Sequence, residues 1–192
     1  GHSWGTALAL EYYLKYPKGI KAIIFNSPYF STSLWKADAD TLITTLPDSI
    51  QLAIKTGEKN HDYGSPAYKN ANEVFYKNFG VRKTKLTSEL DTSTAKGNEF
   101  IYNYMWGPTE FTAAGTLINY NRVQSLKTIK VPTLFITGEF DEARPVTVKY
   151  FQSLVPNSKF VMIDGAGHGT MHDNKGQNIS AVKTFLDSLE LK

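Results

Sequence analysis

Residues 4–16, WGTALALEYYLKY, are apolar almost without interruption, and Glu11 and Lys15 are their only charges. At 3.6 residues per turn this leaves no polar face, so the segment predicts a helix buried on both sides. Pro17 and Gly19 end it. Residues 20–26, IKAIIFN, form a short β-branched run suited to a strand covered on both faces. From about 31 to 120 the chain turns polar and aromatic. Helical spacing recurs there over about 32–45, 48–58, 66–79 and 97–106, and Ser65-Pro66 has the form of an N-cap followed by a first-turn proline. Alternation then returns, with a strand over 131–137, a helix over 145–154, a strand over 159–163 and a closing helix over 178–190. Ile179, Val182, Phe185, Leu186 and Leu189 share one side of that last helix. Strand, helix and strand at these lengths imply right-handed parallel crossovers.

The pattern predicts an α/β protein in two parts. Residues 1–30 and 121–192 form a parallel sheet with flanking helices, and residues 31–120 form an inserted helical cap. Three strands make a poor sheet by themselves, because a parallel sheet needs covered faces and protected edges. The chain is therefore expected to be about the C-terminal two-thirds of a larger fold, with the missing N-terminal segment absent, cleaved or held on another chain.

Composition narrows the function. The 192 residues suffice for one core with a lid. No stretch approaches the roughly 20 apolar residues of a membrane span, so no membrane partner is expected. There is no cysteine, hence no disulfide, thiolate metal site or cysteine nucleophile. The net charge of +3 is slight. Arg82, Lys83 and Lys85 form the densest basic cluster, which reads as a solvated face, and nucleic-acid binding has no support. No HExxH, phosphate-binding glycine loop or calcium-loop spacing is present, so neither metal nor cofactor is expected. The cytoplasm is taken as the compartment.

The chemistry starts at Gly1-His2-Ser3-Trp4-Gly5, a G-x-S-x-G pattern. Such a serine sits on a sharp strand-to-helix turn whose flanking glycines leave room for no Cβ. A helix N-cap is the other common use of such a serine. Asp141 follows the apolar run VPTLFITG, and His168 follows KFVMIDG, in the loop Gly165-Ala166-Gly167-His168-Gly169. Serine, aspartate and histidine in that order are the α/β-hydrolase triad order. Ser3 would be the nucleophile, His168 its base, and Asp141 the group that orients the imidazole. His172 is the rival base, while His2 would orient or pack and His61 be solvated. Asp164 is the weaker acid, better suited to a turn. The N–H of Trp4, at the start of a helix, would give one oxyanion donor.

Three stretches are more specific. GHSWGTALALEYYLKYP, YMWGPTEFTAAGTLINYNR and VPTLFITGEFDEARP together closely resemble the proline iminopeptidases, serine peptidases of the α/β-hydrolase superfamily. WGPTEF, at 106–111, is the discriminating piece. The resemblance implies an α/β-hydrolase fold and an enzyme that removes an N-terminal residue, often proline, from short peptides. It implies Ser3, Asp141 and His168 as the triad, and Glu110 and Glu142 as receivers of the substrate's free amine. Trp106, Phe111 and the nearby tyrosines would wall an apolar pocket for the proline ring or, as the alternative for any one of them, belong to the core of the cap. The family's HGGPG loop, which carries the second oxyanion donor, is not in this sequence, and GTMHDNKGQN after His168 departs from the family's usual continuation. An esterase or amidase on the same scaffold, or an inactive hydrolase-fold fragment, are the alternatives.

Overall fold

The computed structural model describes residues 1–83, 92 and 95–189. Lys85 and position 190, the last of the expected closing helix, lie outside them. Three parallel strands, β1 (Ile23–Asn26), β2 (Thr133–Gly138) and β3 (Ser158–Ile163), pair in the order β1-β2-β3. Phe25, Phe135 and Phe160 lie at one level across them. β2 is buried along its whole length, as a run of apolar and threonine residues between two partners should be.

The first residues complete the other side of β1. The amino group of Gly1 donates to the Ile24 carbonyl at 2.9 Å, Asn26 N–H donates to the Gly1 carbonyl at 3.0 Å, and Ser3 N–H donates to the Asn26 carbonyl at 3.1 Å. The chain then turns into α1 (Trp4–Lys15). α1 buries Thr6, Ala7, Leu10 and Tyr13 in the larger core, with Phe25, Phe30 and Phe135. It is not buried on both sides as its composition predicted. Trp4, Leu8 and Tyr12 are about half exposed, because no described element packs on that face.

The helical insertion between β1 and β2 contains α2 (Thr32–Ile43), α3 (Asp48–Asn60), α4 (Pro66–Phe75) and α5 (Glu99–Met105). Local chemistry sets the starts. The side chains of Ser31, Ser65 and Asn98 accept N–H groups of Leu34, Tyr68 and Ile101 respectively. α4 stops being α-helical sooner than its pattern suggested and continues as a π turn, Tyr76–Gly80. The insertion has its own apolar cluster, in which Ile54, Tyr68, Phe75, Phe79 and Phe111 meet. Its two ends are pinned together, with Thr32 N–H donating to Tyr120 and Arg122 N–H to Phe30.

Beyond β2 come α6 (Pro145–Ser153), a single helical turn at Thr170–Asp173, and α7 (Lys175–Asp187). α7 covers the second face of the sheet with Phe185, against Leu134, Ile136 and Ile163. Ile179 and Leu186, expected on that same side, are about half exposed. α7 is narrower in its apolar contact than the sequence pattern implied, because a single three-stranded sheet face receives it. Among the described residues no helix is long and apolar enough to cross a membrane. Nor is any group of three or more His, Asp or Glu side chains placed to hold a metal ion.

Candidate active site

Ser3 stands between the strand-like start and α1 with φ 52° and ψ −130°. A positive φ is uncommon for a residue carrying a Cβ, and such a conformation costs on the order of 1–3 kcal/mol. Gly1 makes the turn possible, since a Cβ there would lie 2.2 Å from the Gly5 carbonyl oxygen. Gly5 is different: a Cβ there meets no atom within 4 Å, so crowding within the chain is not what places a glycine at that position. The Ser3 side chain does not cap α1. It faces a cavity of about 710 Å³, also lined by Trp4, Tyr29, Trp35, Trp106, Tyr102 and Glu110. Trp4 is the first residue of α1, where a leading N–H has no acceptor one turn earlier.

Asp141 lies in the loop after β2, fully buried, with both carboxylate oxygens occupied. Oδ2 accepts from Ser27 Oγ at 2.6 Å, Gly138 N–H at 3.0 Å and Thr137 Oγ1 at 3.2 Å. Oδ1 accepts from Ala143 N–H and from Nδ1 of His168, each at 2.8 Å. Burial works against the Asp141 charge, but His168 and these donors outweigh it and hold its pKa below the usual value.

His168 follows β3. Its N–H donates to the Phe79 carbonyl at 2.7 Å, and its carbonyl accepts from Ser27 Oγ and from the His2 ring. Nδ1, facing the Asp141 carboxylate, carries a proton in both the neutral and the charged ring. Nε2 is buried without a hydrogen-bond partner, so the bond to Ser3 is open in this conformation. Burial would pull the imidazolium pKa down, yet Asp141 first and Glu142 next outweigh it and hold His168 up at about 9.

The rival residues have other places. His2 meets the His168 ring at 4.7 Å between centroids, and burial followed by the His168 charge pushes it down to about 4. His61 is exposed beside the Tyr63 hydroxyl. His172 makes no bond to Asp141, and Asp164 is exposed at the turn after β3.

Glu142 is fully buried, with Oε1 3.8 Å from His168 Nδ1, and among the described residues neither of its carboxylate oxygens has a hydrogen-bond partner. Burial first and the charge of Glu110 second push its pKa well above the usual carboxylate range. Glu110 lines the cavity from the loop after α5. Trp35 Nε1 donates to its carbonyl and Trp106 Nε1 to that of Thr109, each at 2.9 Å. Tyr102 and Tyr76 face the same two carboxylates, which with burial raises both phenols. Trp106 lines the cavity as expected. Phe111 does not: it is buried in the insertion's own cluster, 4.9 Å from the Phe75 ring, because the turn at Thr109–Thr112 directs it inward.

The sequence reading missed Ser27 and Trp35. Ser27 holds Asp141 from the end of β1, at φ 49°. Trp35, on α2, stands edge-on to His168 with ring centroids 5.5 Å apart. A lone serine after a strand and a tryptophan in a helix carry no local signal of either contact.

A serine on a strained strand-to-helix turn, with a histidine and aspartate from the ends of two neighbouring parallel strands, is the arrangement of one fold family. The alpha/beta hydrolase fold model matches residues 1–175, and the chain belongs to that family. It is 39% identical over 190 residues to a proline iminopeptidase of Heyndrickxia coagulans, and 33% identical over 188 residues to one of Lactobacillus helveticus. These alignments cover 98% and 97% of this chain but 66% and 64% of the relatives, so the chain spans just under two-thirds of their length. The crystal structure of a proline iminopeptidase from Mycobacterium smegmatis superposes with a TM-score of 0.90 at 28% identity, over 100% of this chain and 64% of that one.

Proposed function

We propose that this chain carries the catalytic and amine-recognising residues of a serine aminopeptidase that releases an N-terminal residue, proline foremost, from short peptides. The observation that carries the reading is Glu142. A buried carboxylate without a partner is costly, so it belongs where a cation arrives. An N-terminal ammonium seated against Glu142 and Glu110 would supply that cation beside the base. Similarity to the proline iminopeptidases supports the same assignment.

In this reading Ser3 Oγ attacks the carbonyl of the first residue while His168 Nε2 takes its proton, and Asp141 keeps the other proton on Nδ1. The tetrahedral oxyanion forms near the Trp4 N–H. Nε2 then returns the proton to the leaving amine, and a water activated by the same nitrogen releases the acyl group from Ser3. The helical insertion acts as the cap, and Trp106 and Trp35 supply apolar wall. The cytoplasm is part of the same proposal as its place of action.

The test pairs a prolyl amide with an ester that has no amine, both assayed near pH 7, where the substrate amine is still a cation. Glu142→Gln and Glu110→Gln should each lower the amide-to-ester ratio of kcat/KM by about 10- to 100-fold, the scale of a charge-assisted hydrogen bond. Equal losses on both substrates would refute amine recognition and favour the esterase reading.

A further inference from the structure

The loop bearing His168 is gripped by the helical insertion. His168 N–H donates to the Phe79 carbonyl at 2.7 Å and Gly169 N–H to the Gly80 carbonyl at 2.9 Å, both carbonyls belonging to the π turn. The fit is close. A Cβ on Gly167 would lie 2.6 Å from the Gly80 carbonyl oxygen and 2.7 Å from that of Phe79. The wider π turn aims two consecutive carbonyls at the loop, a use consistent with the concentration of such turns at functional sites.

One side chain closes this grip. The Asp173 carboxylate accepts from Arg82 N–H at 2.9 and 3.1 Å, from Lys83 N–H at 2.8 Å and from Gly167 N–H at 2.9 Å. It therefore joins the residues leaving the π turn to the residue just before His168. Arg82 adds to the same strap, with its guanidinium 3.9 Å from the centre of the Phe140 ring and Nε donating to the Gly165 carbonyl. Asp173 touches neither the cavity nor the His168 ring, yet it ties together both segments that fix the His168 backbone.

We propose that Asp173 is a positioning residue for His168: through the Phe79–Lys83 strap it sets where Nε2 stands relative to Ser3. This rests on the serine-hydrolase reading above. A small displacement of a proton-accepting group costs turnover far more than it costs binding. Asn at 173 keeps the size and can still accept from Arg82 and Lys83, but its amide NH₂ would oppose the Gly167 N–H.

The experiment measures the rate at which a fluorophosphonate labels Ser3, across pH, together with kcat and KM on a prolyl amide. Asp173→Asn should slow labelling and lower kcat by about 10- to 100-fold, with KM changed by less than about twofold. Asp173→Glu, which restores the carboxylate, should recover part of the loss. If Asp173→Asn does not fold, Asp173→Glu decides: slowed labelling at unchanged KM supports the role, and labelling at the wild-type rate overturns it. Wild-type labelling rates in both variants also overturn it. A wild-type protein that never labels at Ser3 instead refutes the nucleophile assignment, so the two failures are distinguishable.

Discussion

Asp141 and Glu142 are neighbours in sequence and equally buried, yet their surroundings are opposite. Asp141 sits among five donors drawn from β1, β2, its own loop and the histidine. Glu142 has no hydrogen-bond partner among the described residues. The difference separates a carboxylate that the fold uses for itself from one it holds for a visitor. A fully satisfied charge fixes geometry, whereas a buried carboxyl without hydrogen bonds resists ionisation until a cation arrives beside it.

The sharpest way to break this comparison is Asp141→Asn. An amide can no longer hold the proton on Nδ1 of His168, and kcat should fall by about 10,000-fold, the scale for losing the correct tautomer in such a triad. Glu142→Gln should instead lower the amide-to-ester ratio of kcat/KM, as described above. It should also leave thermal stability unchanged or raised by up to about 1 kcal/mol, because the buried carboxyl removed had no hydrogen-bond partner. A Glu142→Gln protein less stable than Asp141→Asn would reverse the assignment of the two roles.

The next effect is on pH. His168 is held up at about 9, and only its neutral form accepts a proton from Ser3. Fluorophosphonate labelling should therefore rise with pH, reach half its maximum near pH 9 and level off about one unit higher, with no substrate amine to confuse the profile. Glu142 helps hold that proton, so Glu142→Gln should move the midpoint to lower pH. An unmoved midpoint would show that Glu142 does not act on the base. The smallest effect belongs to Ser27→Ala, which removes one of the five donors. It should cost about 1–3 kcal/mol of stability in thermal unfolding and less turnover than Asp141→Asn.

Much of this site was legible because its parts carry local signals. Ser3 announces itself by two glycines, and Asp141 and His168 by the ends of apolar strands. Those strand ends meet because parallel strands bring their carboxyl ends to one edge. Ser27 and Asp173 carry no such signal. Their partners lie 114 and about 90 positions away in the chain, and only the folded register brings them together. Phe111 was misplaced for a related reason. An aromatic residue one position from Glu110 reads as part of the same pocket, but the turn at Thr109–Thr112 sends the two side chains to opposite sides. Helix α1 was misread because uniform apolarity says that a surface is sticky, not that something covers it.

The cavity beside Ser3 has one more consequence. The chain has three tryptophans, and all of them, Trp4, Trp35 and Trp106, line that cavity. Its entire indole emission therefore originates at one place. Any peptide, inhibitor or solvent change entering there will alter the intensity or colour of that light, so the unlabelled protein carries its own optical reporter of occupancy.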